Sequence, residues 1–212
     1  GGVDISNVSL SSGEMCREFE KACGIKLTVP EFSMDDDYVT MTSSSARVIS
    51  VESARASLKK DNETVNGDSV ACFSNKEDYF YSLISDGMGS GRDAAITSRI
   101  TCIFLEKMLS AGNKKSIVLK MLNNFIRNKN LECFATVDLL EIDLLTASAG
   151  FIKSGAAASY IIRDKKLFKI ASNSLPIGIT REITAEEIRF ELRAGDLIIM
   201  ISDGISQSFE DG

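Results

Sequence analysis

The fold is decided by the segment YFYSLISDG at residues 79–87, which is apolar and ends in Ser-Asp-Gly, and by its counterpart LIIMISDG at residues 197–204. Unbroken apolar runs of this length are typical of strands that are buried on both faces, so we predict that each is a central strand. Each strand then delivers one carboxylate, Asp86 or Asp203, where the chain leaves the core. A single Asp-Gly pair usually marks only a turn, but two copies behind buried strands favour a shared site.

A third carboxylate precedes the first copy. Residues 70–73 and 79–84, which a charged turn separates, predict a hairpin, and Asp68 opens its first strand. We therefore expect Asp68 and Asp86 at the same end of the sheet, with Gly87 letting its backbone carbonyl approach whatever they hold. Three converging carboxylates repel one another unless a cation neutralises them, and Mg²⁺ or Mn²⁺ suits such oxygen ligands. Two such ions could activate a bridging water and clamp a phosphoryl group.

The composition narrows the chemistry further. The chain has 212 residues, of which 44% are hydrophobic and 25% charged, so one domain with a real core can form. It contains no histidine, which excludes a Ser-His-Asp triad, a histidine base and histidine-bound zinc. A net charge of −6 without a basic cluster argues against nucleic-acid binding. Five cysteines without CxxC spacing predict reduced thiols in the cytoplasm, and no apolar run approaches the roughly 18 residues of a membrane span.

The elements around these segments follow from periodicity and from turn residues. Before residue 60 we predict a helix from Ser11 to Gly24 and strands at 25–29, 38–42 and 47–54. Two helices are predicted within residues 93–128. Their apolar stripes, which we expect to face the core, are Ile96, Ile100, Ile103, Phe104 and Met108 in the first and Ile117, Val118, Met121, Leu122, Phe125 and Ile126 in the second.

Strand patterns return from residue 134 to residue 202. Strands, then two helices, then a meander of strands is the order typical of an α+β domain with antiparallel sheets, and it does not fit a βαβ nucleotide-binding fold.

Five motifs follow one another along the chain: ISDGMGSG (84–91), FATVDLLEID (134–143), AGFIKSGAA (149–157), SNSLPIGI (172–179) and LRAGDLIIMISDGI (192–205). In this order they resemble the metal-dependent type 2C protein phosphatases (PPM), in the bacterial branch that serves partner-switching control of sigma factors. The resemblance covers roughly residues 45–212, which we take as the phosphatase domain. Residues 1–44 are similar, more weakly, to the lead-in that links such a domain to upstream regulatory regions.

The resemblance implies two antiparallel β-sheets packed as a sandwich and flanked by helices, with two Mn²⁺ or Mg²⁺ ions at one edge. Asp68, Asp86, the carbonyl of Gly87 and Asp203 would be metal ligands, and Asp68 and Asp86 would thereby serve catalysis. The implied substrate is a phosphoserine on an anti-sigma-factor antagonist, in the control of sporulation sigma factors. The implied location is the cytoplasmic part of a parent that carries a membrane region upstream, and no membrane contact is expected of this segment.

Two departures from the family pattern stand out. Met88 occupies the position where animal relatives carry histidine, so the acid that protonates the leaving seryl oxygen is unidentified. The family ends with a further helix and a strand that bears an aspartate ligand, so we expect the domain as printed to be incomplete at its C-terminal side.

Two alternatives stay open. One is another two-metal phosphoester hydrolase, and the other is a non-catalytic regulatory domain that binds a partner through the same fold. The helical surface at 93–128 could also serve a homodimer as readily as it serves the core.

Overall fold

The computed structural model describes residues 10–35, 38–57, 66–76, 78–88, 92–128, 134–183 and 185–210. It divides into two compact units, each of which is described by itself. The first comprises Gly1–Ser50 with Leu144–Thr146, and the second comprises Val51–Asp143 with Ala147–Gly212. None of the helices in the described ranges is both long and apolar enough to cross a bilayer.

The first unit contains one helix and one hairpin. Helix α1 (Ser12–Cys23) confirms the prediction, because Ser11 and Glu14 form a reciprocal capping box and Gly24 ends the helix with φ of +68°. Strands β1 (Glu31–Asp35) and β2 (Tyr38–Thr42) pair antiparallel.

The predictions of two further strands in this region are wrong. Residues 25–29 make only an isolated bridge between Leu27 and Ser45, and residues 47–54 form no strand. Both segments are rich in β-branched side chains, but a strand also needs a continuous ladder of partners. Val48, for example, donates one backbone hydrogen bond, to the carbonyl of Leu144 at 2.8 Å, and the pairing goes no further.

The second unit holds the remaining elements. Its strands are β3 (Asp68–Ser74), β4 (Tyr79–Asp86), β5 (Val137–Asp143), β6 (Ser148–Ser154), β7 (Ser159–Arg163), β8 (Lys166–Ile170), β9 (Glu186–Glu191) and β10 (Leu197–Ile199). Its helices are α2 (Arg92–Ser110), α3 (Lys115–Asn128) and α4 (Asp203–Glu210). The strands form two antiparallel sheets, one ordered β3-β4-β5-β6-β9 and the other β10-β7-β8.

The five-stranded sheet separates two environments. Alternate residues such as Leu83, Leu139 and Ile152 are buried in one hydrophobic cluster with Leu105 of α2 and Leu122 of α3. The other face carries Asp86 and Asp138, and Asp138 accepts a hydrogen bond from Ser159 on the second sheet. The predicted α+β architecture, a sandwich of antiparallel sheets flanked by helices, is confirmed.

The predicted core face of α2 is right only in part, because Phe104 and Met108 pack against the hydrophobic cluster but other members of the stripe do not. Ile96 and Ile103 are 43% and 46% exposed, and the buried positions are instead mostly small or polar side chains: Ala94, Thr97, Ser98, Thr101, Cys102, Leu105 and Leu109. Close approach to the hairpin explains the difference, because the hydroxyls of Ser98 and Ser69 lie 3.0 Å apart and the Cys102 thiol donates to the Ser69 carbonyl at 3.3 Å. Small side chains let a helix approach a sheet more closely than isoleucine would.

Helix α3 follows its prediction in part. Val118, Leu122 and Ile126 are buried as expected, whereas Ile117, Met121 and Phe125 remain exposed. Phe125 stacks on Phe104 of α2, with ring centroids 6.1 Å apart.

The two Ser-Asp-Gly copies end in different surroundings. Strand β4 lies between β3 and β5, as predicted for a central strand. Strand β10 has three residues and pairs with β7 alone among the described strands, and its Leu197 is 55% exposed. The expectation of a second central strand is therefore not met within the described residues.

Candidate active site

Asp68 and Asp86 lie at the same rim of the large sheet, as the hairpin predicted. They are directly opposed in the register of β3 and β4, at the first residue of one strand and the last of the other. The backbone NH of Asp68 is held by the side chain of Asn66 at 3.0 Å, and that of Asp86 by the hydroxyl of Thr136 at 2.9 Å. These bonds fix the backbone of both strands at the open end of the hairpin, so the two carboxylates lie close together.

Asp203 reaches the same place from the second Ser-Asp-Gly copy. It is the first residue of α4, and it lines a small cavity together with Asp86. The negative charge of Asp203, and a hydrogen bond that the protonated form of Asp86 can share with it, both raise the pKa of Asp86. The structure therefore brings all three predicted carboxylates together, with Asp68 opposite Asp86 in the sheet register and Asp203 lining the same cavity as Asp86.

The grouping perturbs Asp86 strongly. Burial, followed by the negative charges of Asp68 and Asp203, raises the pKa of this carboxyl from 3.8 to about 7. A divalent cation would relieve the repulsion, because its positive charge offsets the neighbouring negative charges and favours the ionised form of Asp86. Within the described ranges, however, no three Asp, Glu or Cys side chains are already arranged as a metal ligand set. The donor chemistry thus fits a hard cation, and ligation would require the carboxylates to close around it.

Gly87 occupies a position that no larger residue could fill. A Cβ built on it would lie 1.9 Å from the backbone oxygen of Ala94, in the first turns of α2. Glycine therefore lets the start of α2 pack directly against the end of β4. The role of its carbonyl as a metal ligand stays a prediction.

A second polar cluster lies beneath this rim, and the sequence patterns did not identify it. Asp138 and Lys153 are opposed on β5 and β6 and form an ion pair of 2.8 Å, with exposures of 1% and 0%. Ser159 of β7 donates to Asp138 Oδ2 at 2.6 Å. Burial raises the pKa of Asp138 and lowers that of Lys153, while the opposite charge of each partner counteracts both shifts.

A sequence signal for this cluster existed. Asp138 and Lys153 interrupt the apolar strands VDLLEID and SAGFIKS at positions that are buried on both faces. Charges at such positions are rare unless they are paired.

Known proteins resemble this chain in sequence. The stage II sporulation protein E of Bacillus subtilis (strain 168) is 38% identical over 156 residues, which is 73% of this chain and 19% of the relative. The protein of the same name in Priestia megaterium is 35% identical over 156 residues and is covered to 27%. The phosphoserine phosphatase RsbU of B. subtilis is 23% identical over 127 residues, 58% of this chain and 38% of RsbU. The chain thus spans about a fifth to a quarter of the first two relatives.

Solved structures show the same fold. The PP2C phosphatase domain of SpoIIE from B. subtilis, solved with a fragment of its regulatory domain, matches with a TM-score of 0.79 at 29% identity. That match covers 96% of this chain and 62% of the other. RsbX, crystallised in complex with magnesium, matches with a TM-score of 0.58 at 19% identity over 69% of this chain and 71% of RsbX, which shows the fold alone. The sequence model described as stage II sporulation protein E (SpoIIE) matches residues 76–212, and the chain belongs to this family.

Proposed function

We propose that this chain is a metal-dependent protein-serine phosphatase. The observation that carries the proposal is the convergence of Asp68, Asp86 and Asp203 at one rim, where burial and the two neighbouring negative charges raise the pKa of Asp86 to about 7. Each carboxylate in such a group disfavours the ionisation of its neighbours unless a cation is bound. The relative RsbU is named a phosphoserine phosphatase, which fits this chemistry.

The three carboxylates would hold Mn²⁺ or Mg²⁺, two ions in a complete site, with the Gly87 carbonyl as a further ligand. When bound, the metal supplies an activated water and neutralises charge on the phosphoryl group. The chain's own part is to position these ligands, and Asp86 must release its proton before it can ligate. RsbX was crystallised in complex with magnesium. For this chain we propose that either Mg²⁺ or Mn²⁺ can occupy the site.

Protonation of the leaving seryl oxygen falls to a group other than histidine, because the chain has none. Met88, which follows the first Asp-Gly, is 42% exposed and carries no proton to donate. We propose that solvent water at the rim performs this step.

The proposed substrate is a phosphoserine on an anti-sigma-factor antagonist, in the control of sporulation sigma factors. This assignment rests on family membership. We further propose that residues 1–44 join the phosphatase domain at 45–212 to an upstream regulatory and membrane-anchored part, that the domain continues beyond Gly212 to a last aspartate ligand, and that it faces the cytoplasm. A homodimer through the helices at 93–128 also remains a proposal.

A non-catalytic partner-binding domain is the second candidate. It is favoured by one observation, that the described carboxylates are not already arranged as a ligand set. Its prediction is a folded protein that binds no Mn²⁺ at millimolar concentration.

The test measures phosphate release from a phosphoserine protein, with and without Mn²⁺, in this chain and in a version extended past Gly212 to the last family aspartate. Asp86→Ala should abolish the Mn²⁺-stimulated release. Asp143→Asn is the matched control, since Asp143 lies opposite Tyr79 at the far end of the same strands and should leave the rate unchanged. Equal release by wild type and Asp86→Ala would overturn the proposal, and release from an oligonucleotide but not from the phosphoprotein would indicate a different hydrolase.

A further inference from the structure

The ion pair beneath the rim leaves one oxygen without a partner. Lys153 Nζ has three acceptors, namely Asp138 Oδ2 at 2.8 Å, the carbonyl of Ala157 at 2.7 Å and the hydroxyl of Ser159 at 2.9 Å. This set matches the three donors of an ammonium group. Asp138 Oδ1, in contrast, is buried and has no hydrogen-bond partner among the described residues.

An unpaired buried carboxylate oxygen is costly. An acceptor left unsatisfied in this way loses its hydrogen bonds to water without replacement, and the loss is greater for a charged group. A purely structural ion pair would gain from using both oxygens, as the lysine uses all its donors. The arrangement therefore points to a partner that the polypeptide does not supply.

The space beside Asp138 suits one water molecule. A cavity of about 20 Å³ is lined by Asp138, by Asp86 and Asp203 of the rim and by Thr136, among others. This volume accommodates roughly one water, which needs two to four polar partners. Asp138 is opposite Ile84, two residues before Asp86, so the two aspartates share a face of the sheet as diagonal neighbours about 7–8 Å apart.

We infer that Asp138 is a positioning residue of the metal site: its Oδ1 accepts a hydrogen bond from a water in this cavity, and that water is shared with the cation held by Asp86 and Asp203. Lys153 and Ser159 keep Asp138 in place by occupying Oδ2. The inference rests on the proposed function, since it needs a cation at the rim. Groups that orient metal ligands or metal-bound water in this way typically change metal affinity by about 10–100-fold when they are replaced.

The test measures Mn²⁺ affinity by titration calorimetry in the chain extended past Gly212, alongside thermal unfolding. Asp138→Asn should weaken Mn²⁺ binding by about 10–100-fold. The side-chain oxygen of the asparagine would accept from Lys153. Its NH₂ group would then face the cavity, so that a donor replaces the acceptor Oδ1. Asp143→Asn is the matched control, because Asp143 lies opposite Tyr79 at the far end of the sheet from the rim, so the loss of its charge should leave Mn²⁺ binding unchanged.

A second variant keeps the test valid if Asp138→Asn does not fold. Asp138→Leu with Lys153→Met replaces the pair by apolar side chains, a change that is often tolerated for buried ion pairs. We expect this variant to fold and to bind Mn²⁺ as weakly as Asp138→Asn. Wild-type affinity in either Asp138 variant would overturn the inference but leave the proposed function standing. Absence of Mn²⁺ binding by the wild-type protein would overturn both.

Discussion

Replacing Asp86 by asparagine should stabilise the metal-free protein while removing its ability to bind metal. The raised pKa means that the folded chain must ionise Asp86 against burial and against two neighbouring charges. If unscreened, the rise from 3.8 to about 7 would correspond to about 4 kcal/mol at pH 8. Since the side chain is only half-buried, solvent screening reduces this to about 1–2 kcal/mol.

The sign of the pH dependence follows from the direction of the shift. A carboxyl whose pKa is raised by folding is ionised at greater cost in the folded state, so the penalty appears above pH 3.8 and is complete above about pH 7. Asp86→Asn removes that penalty. Its advantage should therefore be absent near pH 4 and full at pH 8.

The assay is thermal and urea unfolding in a chelator at pH 4 and pH 8, repeated at pH 8 with Mn²⁺. For a chain of this size, 1–2 kcal/mol corresponds to a rise of about 2–8 °C in Tm. Mn²⁺ should raise the Tm of the wild type and leave that of Asp86→Asn unchanged. Asp143→Asn controls for the loss of one negative charge elsewhere. A variant that is less stable than wild type at pH 8 in chelator, or equally stabilised at both pH values, would show that ionised Asp86 does not destabilise the folded protein.

Three further predictions concern the framework. Gly87→Ala should lower the free energy of unfolding by about 3 kcal/mol, because the added Cβ would collide with the backbone of α2. Gly204→Ala, with open space around it, should change the free energy of unfolding by no more than about 0.5 kcal/mol, and equal losses in urea unfolding would contradict the steric explanation. Leu83→Ala, at 0% exposure in the core, should cost about 2–5 kcal/mol by the same assay, and a loss below 1 kcal/mol would contradict its placement. Arg163 lowers the pKa of Asp196 chiefly by hydrogen bonding, so the pair stabilises the folded protein above the ordinary Asp pKa of 3.8, and this stabilisation is lost as the pH falls through the lowered pKa. The stability deficit of Arg163→Gln should thus be present at pH 6 and shrink below pH 3, and a deficit independent of pH would argue against the pair.

Local sequence patterns predicted the rim well because its geometry is local. Asp68 and Asp86 belong to one hairpin, so the turn fixes their register and places both at one end. The approach of Asp203 depends instead on how β10 and α4 pack, and it followed only from the repetition of Ser-Asp-Gly. Repetition of a motif predicted proximity, although the strand environments of the two copies differ.

The failures arose where packing overrides pattern. The hydrophobic stripe of α2 identified the core face only in part, since close contact with the hairpin buries Ser98 and Cys102 and leaves Ile96 and Ile103 exposed. The Asp138–Lys153 pair was missed because a charge within a strand gives no indication of its partner on the next strand. Both features depend on tertiary distances that periodicity does not encode.

Whether the three carboxylates hold one cation is measured by calorimetric titration of Mn²⁺ into the chain extended past Gly212, with asparagine at each of Asp68, Asp86 and Asp203 in turn and Asp143→Asn as the control. We expect saturable binding by the wild type and the control, and binding at least about tenfold weaker in each of the other three variants. Absence of binding by the wild type, or unchanged affinity in all three rim variants, would contradict this expectation.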